Sequence, residues 1–223
     1  MGQLYLVRHG QASLGADDYD QLSPLGERQA QRLGEHWRGQ GMRFDAIFTG
    51  TLKRHAQTLQ GIQRGLGDKQ NATAWPGLNE YDSEAIIRSV HTGPLDKPTT
   101  PEAYRDHFRL LRQGLKAWMA GQAAPHGMPS HAAFLEGVTS ALDHIRHHHC
   151  EGQVLLVSSG GPISMAVGHV LGLTADKVIE LNLRMRNSAI CEFNFNPKRH
   201  TLVSFNTIPH LETPGHTSWV TYA

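Results

Sequence analysis

The amino-acid sequence, 223 residues long, predicts an α/β fold: a three-layer sandwich with a mostly parallel central sheet, helices on both faces and a helical cap insertion. Short apolar runs alternate with amphipathic stretches of helical period, an order typical of parallel sheets that are covered on both faces. Several of the apolar runs also end abruptly in glycine-containing polar turns. In a parallel sheet such turns gather at one edge, which is where ligands bind.

The first predicted strand ends in three residues of chemical interest. An apolar run over 5–7 leads directly into Arg8, His9 and Gly10. Arg8 is a permanent cation with a planar fork of donors, and His9 can act as a neutral nucleophile or base near neutral pH. Gly10 permits a sharp turn and the close approach of a ligand. On their own, these residues fit a solvated strand end as well as they fit a site.

The other predicted elements follow in a regular order. After a polar loop over 12–21, Ser23 is a suitable N-cap, Pro24 suits the first helical position and Glu27 suits a capping box, so a helix is predicted to about residue 38. The remaining predicted elements are a strand over 44–48, a helix over 52–65, a short edge strand over 72–75, a helix over 132–149, a strand over 153–157, a helix over 163–171 and a hairpin of strands over 188–195 and 201–206.

Residues 83–131 interrupt this alternation. The segment is mostly helical in pattern, with apolar residues at helical spacing over 104–119 and with prolines that break it. It is too short to bury a core of its own, so we predict a cap inserted into a single domain that spans residues 1–223. We expect substrate selectivity to lie in this segment.

Composition narrows the classes of partner. Lys and Arg number 21 and Asp and Glu 20, so no nucleic-acid or membrane partner is expected. Two cysteines, Cys150 and Cys191, fit a reducing compartment, and neither a signal-peptide pattern nor an apolar window of membrane-spanning length is evident. We therefore expect a cytoplasmic protein. Its oligomeric state stays open, with a homodimer among the options.

Histidine is abundant, with 15 residues, and three of them adjoin a cysteine at positions 147–150. Consecutive residues of a helix point in different directions, so these side chains cannot all face one metal ion. The pattern favours a solvated helix end, and no metal site is predicted.

The ends of four predicted strands bring a consistent set of side chains to one edge of the sheet. The first strand supplies Arg8 and His9, the second leads to Arg54, the third leads to Glu80, and the fourth ends in the glycine-rich loop 158–161. Arginine pairs and helix N-termini bind phosphate oxygens. A histidine among arginines tends to stay neutral, and a carboxyl group that faces a bound dianion tends to hold a proton.

The chain resembles the histidine phosphatase superfamily, the phosphoglycerate mutase-like proteins. An Arg-His-Gly triplet alone would be weak support, but the matches run in the family's order from residue 4 to about 211. They include the Arg-His-Gly signature at 8–10, a Leu-Ser-Pro-Leu-Gly-Glu-Arg-Gln-Ala segment at 22–30 similar to Leu-Thr-x-x-Gly-x-x-Gln-Ala, a Thr-Leu-Lys-Arg-His-Ala-Gln-Thr segment at 51–58 similar to Pro-Leu-x-Arg-x-x-Gln-Thr, and Leu-Asn-Glu at 78–80 similar to Leu-x-Glu. Asn-Ser at 187–188 and the ending at 206–211 are also similar.

The resemblance implies a role for each of these residues. His9 would be phosphorylated, Arg8 and Arg54 would clamp the phosphoryl group, and Glu80 would donate a proton to the leaving oxygen. Gln11 would lie at the pocket edge, near the leaving group. The implied reaction is hydrolysis of a small phosphorylated metabolite, with inorganic phosphate as product and without a cofactor.

One position departs from the family pattern. The family's fourth strand ends in Ser-His-Gly, and here Ser159 stands in place of that histidine. Loss of one such donor typically costs roughly 10²–10³ in rate. The Ser159 hydroxyl and the N–H groups of Gly160 and Gly161, ahead of a helix with Pro162 at its first position, are predicted to face the phosphate and offset part of the loss. His55 is expected to point elsewhere on its helix.

There are three alternatives to an active phosphatase. The chain could retain the anion pocket without turnover, as a phosphate-ligand binding or regulatory protein. Phosphoglycerate mutase-type transfer is a weaker alternative, because a mutase must retain the phosphoryl group and the chain is short of the usual insertions. An acyl hydrolase with Ser159 as nucleophile is disfavoured, because Val157 stands where the Gly-x-Ser-x-Gly elbow needs glycine.

Overall fold

A computed structural model describes residues 1–13, 20–95 and 98–222, so most of the predicted loop over 12–21 lies outside the described residues. Its strands are β1 (Gly2–Arg8), β2 (Ala46–Thr49), β3 (Thr73–Ala74), β4 (Gln153–Ser158), β5 (Ile190–Asn196) and β6 (Arg199–Thr207). Its helices are α1 (Pro24–Gly39), α2 (Lys53–Leu66), α3 (Ser83–Arg88), α4 (Pro101–Met119), α5 (His131–His148), α6 (Gly160–Leu171) and α7 (Ala175–Leu183), with short 3₁₀ turns at Pro76–Leu78 and Thr217–Trp219.

The strands form one sheet in the order β3-β2-β4-β1-β5-β6. The first four are parallel, β5 is antiparallel to β1, and β6 is antiparallel to β5, which confirms the predicted mostly parallel sheet and the late hairpin. The register pairs Arg8 of β1 with Ser158 of β4, and Thr49 of β2 with Val157 of β4. The carboxyl ends of these strands therefore lie side by side.

Helices cover both faces of the sheet, as predicted. Strand β4 shows this directly, because its alternate residues Leu155 and Val157 belong to one core cluster and Val154 and Leu156 to another. The first cluster includes α1 and α2 residues Ala30, Leu33, Trp37, Leu59 and Ile62. The second includes α5 and α6 residues Val138, Ala141, Leu142, Ile145, Ile163, Ala166 and Val167.

Helices α3 and α4, from the segment 83–131, pack against α6 and α7. Their buried residues Ile86 and Leu115 share a cluster with Met165 of α6 and Ile179 of α7. Helix α4 begins at Pro101, three residues before the predicted apolar stripe, and Thr100 caps it by accepting a hydrogen bond from the Ala103 amide. Of the predicted stripe, Leu111, Leu115 and Trp118 are buried, whereas Tyr104 and Phe108 in the first half of the helix are exposed.

Several predicted helix details are corrected by the structure. Helix α6 begins at Gly160 rather than at 163, so Pro162 is its third residue; proline is tolerated there because the first helical amides have no intrahelical partner. The capping box with Glu27 is replaced, because the Ser23 amide donates to the Gln11 carbonyl. Helix α7 is absent from the prediction.

The remaining surface features concern metals and membranes. At the end of α5, the Nδ1 atoms of His147 and His148 lie 2.7 and 2.8 Å from backbone carbonyls one turn earlier. Within ranges 1–13, 20–95 and 98–222, histidine, cysteine and carboxylate side chains form no group of three suited to a metal ion. In the same part of the chain, no helix is long and apolar enough to cross a membrane.

Candidate active site

His9 is held in one tautomer at the end of β1. Its Nδ1 lies 2.7 Å from the Gly10 carbonyl oxygen, which can only accept, so Nδ1 carries the hydrogen and Nε2 presents a lone pair. The backbone is fixed as well, because the His9 amide donates to the Ser158 carbonyl and the Ser188 amide donates to the His9 carbonyl. The imidazole is therefore a rigidly placed nucleophile or base.

Burial and two arginines keep this imidazole neutral. Burial is the largest cause that lowers the pKa of His9 well below its ordinary value of 6.5, and the charges of Arg8 and Arg54 lower it further. Only 3% of His9 is exposed. At neutral pH the Nε2 lone pair is therefore available.

The two arginines reach the site from different elements. Arg8 ends β1 and donates through one terminal nitrogen to the Met185 carbonyl. Arg54 is the second residue of α2, and its guanidinium lies 2.7 Å from the carboxylate of Asp20, which also accepts from the Lys53 amide at the start of the helix. No local sequence pattern predicts the pairing with Asp20.

Glu80 lies over the N-terminus of α6. Its carboxyl oxygens accept from the amides of Gly161 and Tyr81, each at 3.2 Å. Burial raises the pKa of Glu80, and these amides, Arg8 and Arg54 counter only part of that rise. A Cβ added to Gly161 would lie 2.1 Å from the Glu80 carboxyl, so glycine is needed for this approach. The expectation that the Gly161 amide faces a phosphate is thus wrong.

Both arginines act on the pKa of His9 and on that of Glu80. The structure therefore brings these four predicted residues into one electrostatic cluster at the edge of the sheet. Two arginines, a neutral imidazole and a carboxyl group of raised pKa can together bind an anion, attack it and move a proton.

Ser159 and Gly160 complete the edge formed by β4. Ser159 is the N-cap of α6 and is buried, and Gly160 is the first helical residue. A Cβ added to Gly160 would lie 2.7 Å from Asn182 and 3.7 Å from Arg8 Nε. The predicted glycine-rich loop therefore packs directly beside the arginine of β1.

His55 is in the cluster, and the expectation that it points elsewhere is wrong. Its Nε2 lies 2.7 Å from the Ser159 hydroxyl oxygen, and its ring centroid lies 5.9 Å from that of His9. The reason is topological: β2 and β4 are neighbours, so α2 and α6 begin next to each other. A prediction of the strand order would have been needed to find this contact.

Similarity to known proteins extends over nearly the whole chain. The family model for the histidine phosphatase superfamily (branch 1) matches residues 4–208. The chain belongs to the histidine phosphatase superfamily. It is 25% identical to the probable phosphoglycerate mutase GpmB of Photorhabdus laumondii, over 96% of this chain and 97% of the relative.

Solved structures show the same superfamily fold. A mutant phosphoserine phosphatase from Entamoeba histolytica in complex with phosphoserine matches with a TM-score of 0.67 and 22% identity, over 95% of this chain and all of that one. A putative alpha-ribazole-5′-P phosphatase from Escherichia coli matches with a TM-score of 0.65 and 22% identity, over 92% and 96% of the two chains. At this identity the likeness concerns the fold.

Gln11, the remaining predicted site residue, is tied to the start of α1. Its side-chain oxygen accepts a hydrogen bond from the Ser23 hydroxyl at 2.8 Å, and its backbone amide donates to the side-chain oxygen of Gln29. The residue lies beside the histidine phosphatase signature and is partly buried. Its place near a leaving group stays a prediction.

Proposed function

We propose that this histidine phosphatase superfamily member is a metal-independent phosphomonoesterase that acts through a phospho-His9 intermediate on a small phosphorylated metabolite. One observation carries the proposal. The His9 Nε2 lone pair is fixed by the Nδ1–Gly10 contact of 2.7 Å and lies in the field of Arg8 and Arg54. Such a group is a neutral nucleophile at a site built for a dianion.

The first step transfers the phosphoryl group to the protein. His9 Nε2 attacks phosphorus, and the bond from phosphorus to the ester oxygen breaks. The raised pKa of Glu80 favours its protonated form, which gives its proton to the leaving oxygen, so that a neutral alcohol departs. Arg8 and Arg54 stabilise the negative charge on the three non-bridging oxygens.

The second step releases phosphate. The Glu80 carboxylate left by the first step takes a proton from water, whose oxygen then attacks phosphorus. The bond between phosphorus and Nε2 breaks, inorganic phosphate leaves, and both His9 and Glu80 return to their starting states. Neither step changes an oxidation state. A metal ion is not required, because the two arginines supply the positive charge.

The substrate class rests on the relatives. Their names include phosphatases that act on small phosphorylated metabolites and phosphoglycerate mutases. We assign selectivity to residues 83–131, whose helices α3 and α4 pack on α6 and α7. Mutase-type transfer stays a weaker alternative, because it would require the phosphoryl group to remain on His9 until a second acceptor arrives.

The second candidate function is phosphate binding without turnover. It is favoured by Ser159, which replaces a charged histidine of the superfamily pattern with a neutral hydroxyl. Both candidates predict binding of inorganic phosphate, and only the first predicts hydrolysis.

Hydrolysis of p-nitrophenyl phosphate by the wild type and by His9→Ala tests the proposal. We expect turnover in the wild type and a loss of at least about a thousandfold in the variant, because the nucleophile is removed. His36→Ala, which removes a histidine of α1 outside the cluster, is the control and should keep activity. Hydrolysis that survives in His9→Ala contradicts the proposal, and phosphate binding without turnover in the wild type favours the second candidate.

A further inference from the structure

The contact between His55 and Ser159 has no role in the mechanism above. Both side chains are completely buried, and they meet at 2.7 Å where α2 and α6 begin. Serine at an N-cap normally bonds a helix amide, whereas the Ser159 hydroxyl is bonded to His55 and caps no amide of the described chain. The hydroxyl is therefore used for something other than helix stability.

Close packing fixes the His55 ring in this position. A Cβ added to Gly50 would lie 2.3 Å from His55 Nδ1, so the ring rests on the bare backbone of residue 50. On its other side Nε2 is in hydrogen-bond contact with Ser159. A histidine at 159 would overlap this ring. The two side chains thus share the space near His9 that one larger residue at 159 would fill.

The tautomer of His55 decides what Ser159 can offer a ligand. His55 Nδ1 is buried and has no hydrogen-bond partner among residues 1–13, 20–95 and 98–222. If Nε2 carries the hydrogen, it donates to Ser159 Oγ, and the serine keeps its own hydrogen for another acceptor. If Nε2 is bare, the serine donates to it and presents only lone pairs, which repel a phosphate. An anion in the site selects the first arrangement.

We propose that His55 and Ser159 form a donor relay to the transferring phosphoryl group: His55 Nε2–H donates to Ser159 Oγ, and Ser159 Oγ–H donates to a phosphoryl oxygen. In this arrangement Ser159 touches the substrate and His55 is a positioning residue that acts through it. The inference rests on the proposed phosphatase function for its catalytic meaning.

Charge in the cluster favours a neutral relay. Burial, followed by the nearby charge of Arg54, lowers the pKa of His55 to about 3, so the ring is uncharged at neutral pH. The relay adds a directed hydrogen bond to the positive charge of Arg8 and Arg54 without adding a third cation. Donors that are already oriented need no reorganisation as negative charge develops.

A double-mutant cycle on kcat/KM for p-nitrophenyl phosphate tests the relay. Ser159→Ala should lower kcat/KM by roughly 10²–10³, and His55→Ala by at least about tenfold. Because His55 acts only through Ser159, its substitution should cost nothing further in the Ser159→Ala background. His55→Gln keeps the size and an amide donor, so it should recover most of the loss. Equal costs of His55→Ala in both backgrounds would overturn the relay.

Ser164→Ala is the matched control for loss of a buried hydroxyl. Ser164 lies in α6, the helix that follows Ser159, and is completely buried. Its hydroxyl has no hydrogen-bond partner in the described ranges. This variant should leave kcat/KM unchanged. If it matches Ser159→Ala, the effect is structural and the relay fails.

A second pair of variants tests whether the side chains at positions 55 and 159 compete for the same space. Ser159→His alone should lower both the melting temperature and kcat/KM, because the new ring overlaps His55. The double variant His55→Ala/Ser159→His should recover kcat/KM by at least about tenfold over Ser159→His. Absence of recovery contradicts the shared-volume account.

Orthovanadate binding separates failure of the relay from failure of the proposed function. If the wild type hydrolyses p-nitrophenyl phosphate through His9 but the cycle is additive, the relay alone is wrong. If the wild type has no turnover, orthovanadate still probes the pocket. His55→Ala and Ser159→Ala should then each weaken orthovanadate binding by about tenfold, and the double variant should bind it no more weakly than Ser159→Ala does. Unchanged orthovanadate binding in both variants overturns the relay.

Discussion

Burial shifts the pKa values of two side chains of the pocket in opposite directions. It lowers the pKa of His9 and raises that of Glu80, because in each case the charged form is the one that loses water. In one pocket the neutral form of the imidazole and the protonated form of the carboxyl group are therefore both favoured. A neutral imidazole beside a carboxyl group that can hold a proton is the combination that nucleophilic attack with acid catalysis requires.

The pH profile of kcat/KM follows from these shifts. Activity should fall on the acid side only well below pH 6.5, where His9 becomes protonated, and on the basic side above the raised pKa of Glu80, where its carboxyl group loses the proton. The midpoint of the basic limb should lie above pH 4.5, which is the ordinary pKa of glutamate. Initial rates across pH measure both limbs.

Glu80→Gln tests the assignment of the basic limb. The amide keeps the shape but cannot give a proton, so this limb should disappear. The loss in kcat/KM should be small for p-nitrophenyl phosphate, whose leaving group needs no proton, and larger for an alkyl phosphate. Equal losses for both substrates would show that Glu80 is not the acid.

At the scale of elements, the N-terminus of α6 is where three parts of the site meet. Ser159 precedes the helix and bonds His55 of α2, while Glu80 accepts from the Gly161 amide. Glutamate therefore does the capping that serine usually does, and serine is left for the pocket. This arrangement leaves the Ser159 hydroxyl free of helix capping, as the proposed relay requires.

Gly161→Ala should disable the site with little effect on the fold. The added methyl group would meet Glu80 at 2.1 Å and the Tyr81 ring at 2.6 Å, so the carboxyl group must move. We expect kcat/KM for an alkyl phosphate to fall by at least about tenfold. Steady-state kinetics and thermal melting on the same sample measure the two effects.

Gly172→Ala, at the other end of α6, is the control. Gly172 has a positive φ of 65° and open space around it, so alanine should cost about 1 kcal/mol of stability without touching Glu80. If Gly161→Ala lowers the melting temperature but leaves kcat/KM unchanged, the placement of Glu80 does not depend on this glycine.

At the scale of the whole molecule, much of the architecture is encoded locally. The apolar run of β4 is buried on both faces, and the cap at Ser23 and the stop near Gly39 are set by neighbouring residues, so periodicity and capping chemistry predict these elements. Arg8, His9, Arg54 and Glu80 could be predicted because each lies at or after the end of a strand that the pattern reveals.

The parts that could not be predicted depend on contacts distant in sequence. Helix α7 is only nine residues long, and burial of Val178 and Ile179 against the core fixes it. His55 meets Ser159 only because β2 lies next to β4, which no local pattern reveals. Strand order is decided by the packing of the complete sheet.

The central claim is that His9 carries the phosphoryl group between the two steps. Glu80→Gln should retain the first step with p-nitrophenyl phosphate and slow the second, because the amide cannot activate water. Mass spectrometry of rapidly quenched Glu80→Gln should then show one added phosphoryl group on the peptide that contains His9, and none in the variant that also carries His9→Ala. Turnover without any phosphorylated His9, or a phosphoryl group on another residue, would contradict the account.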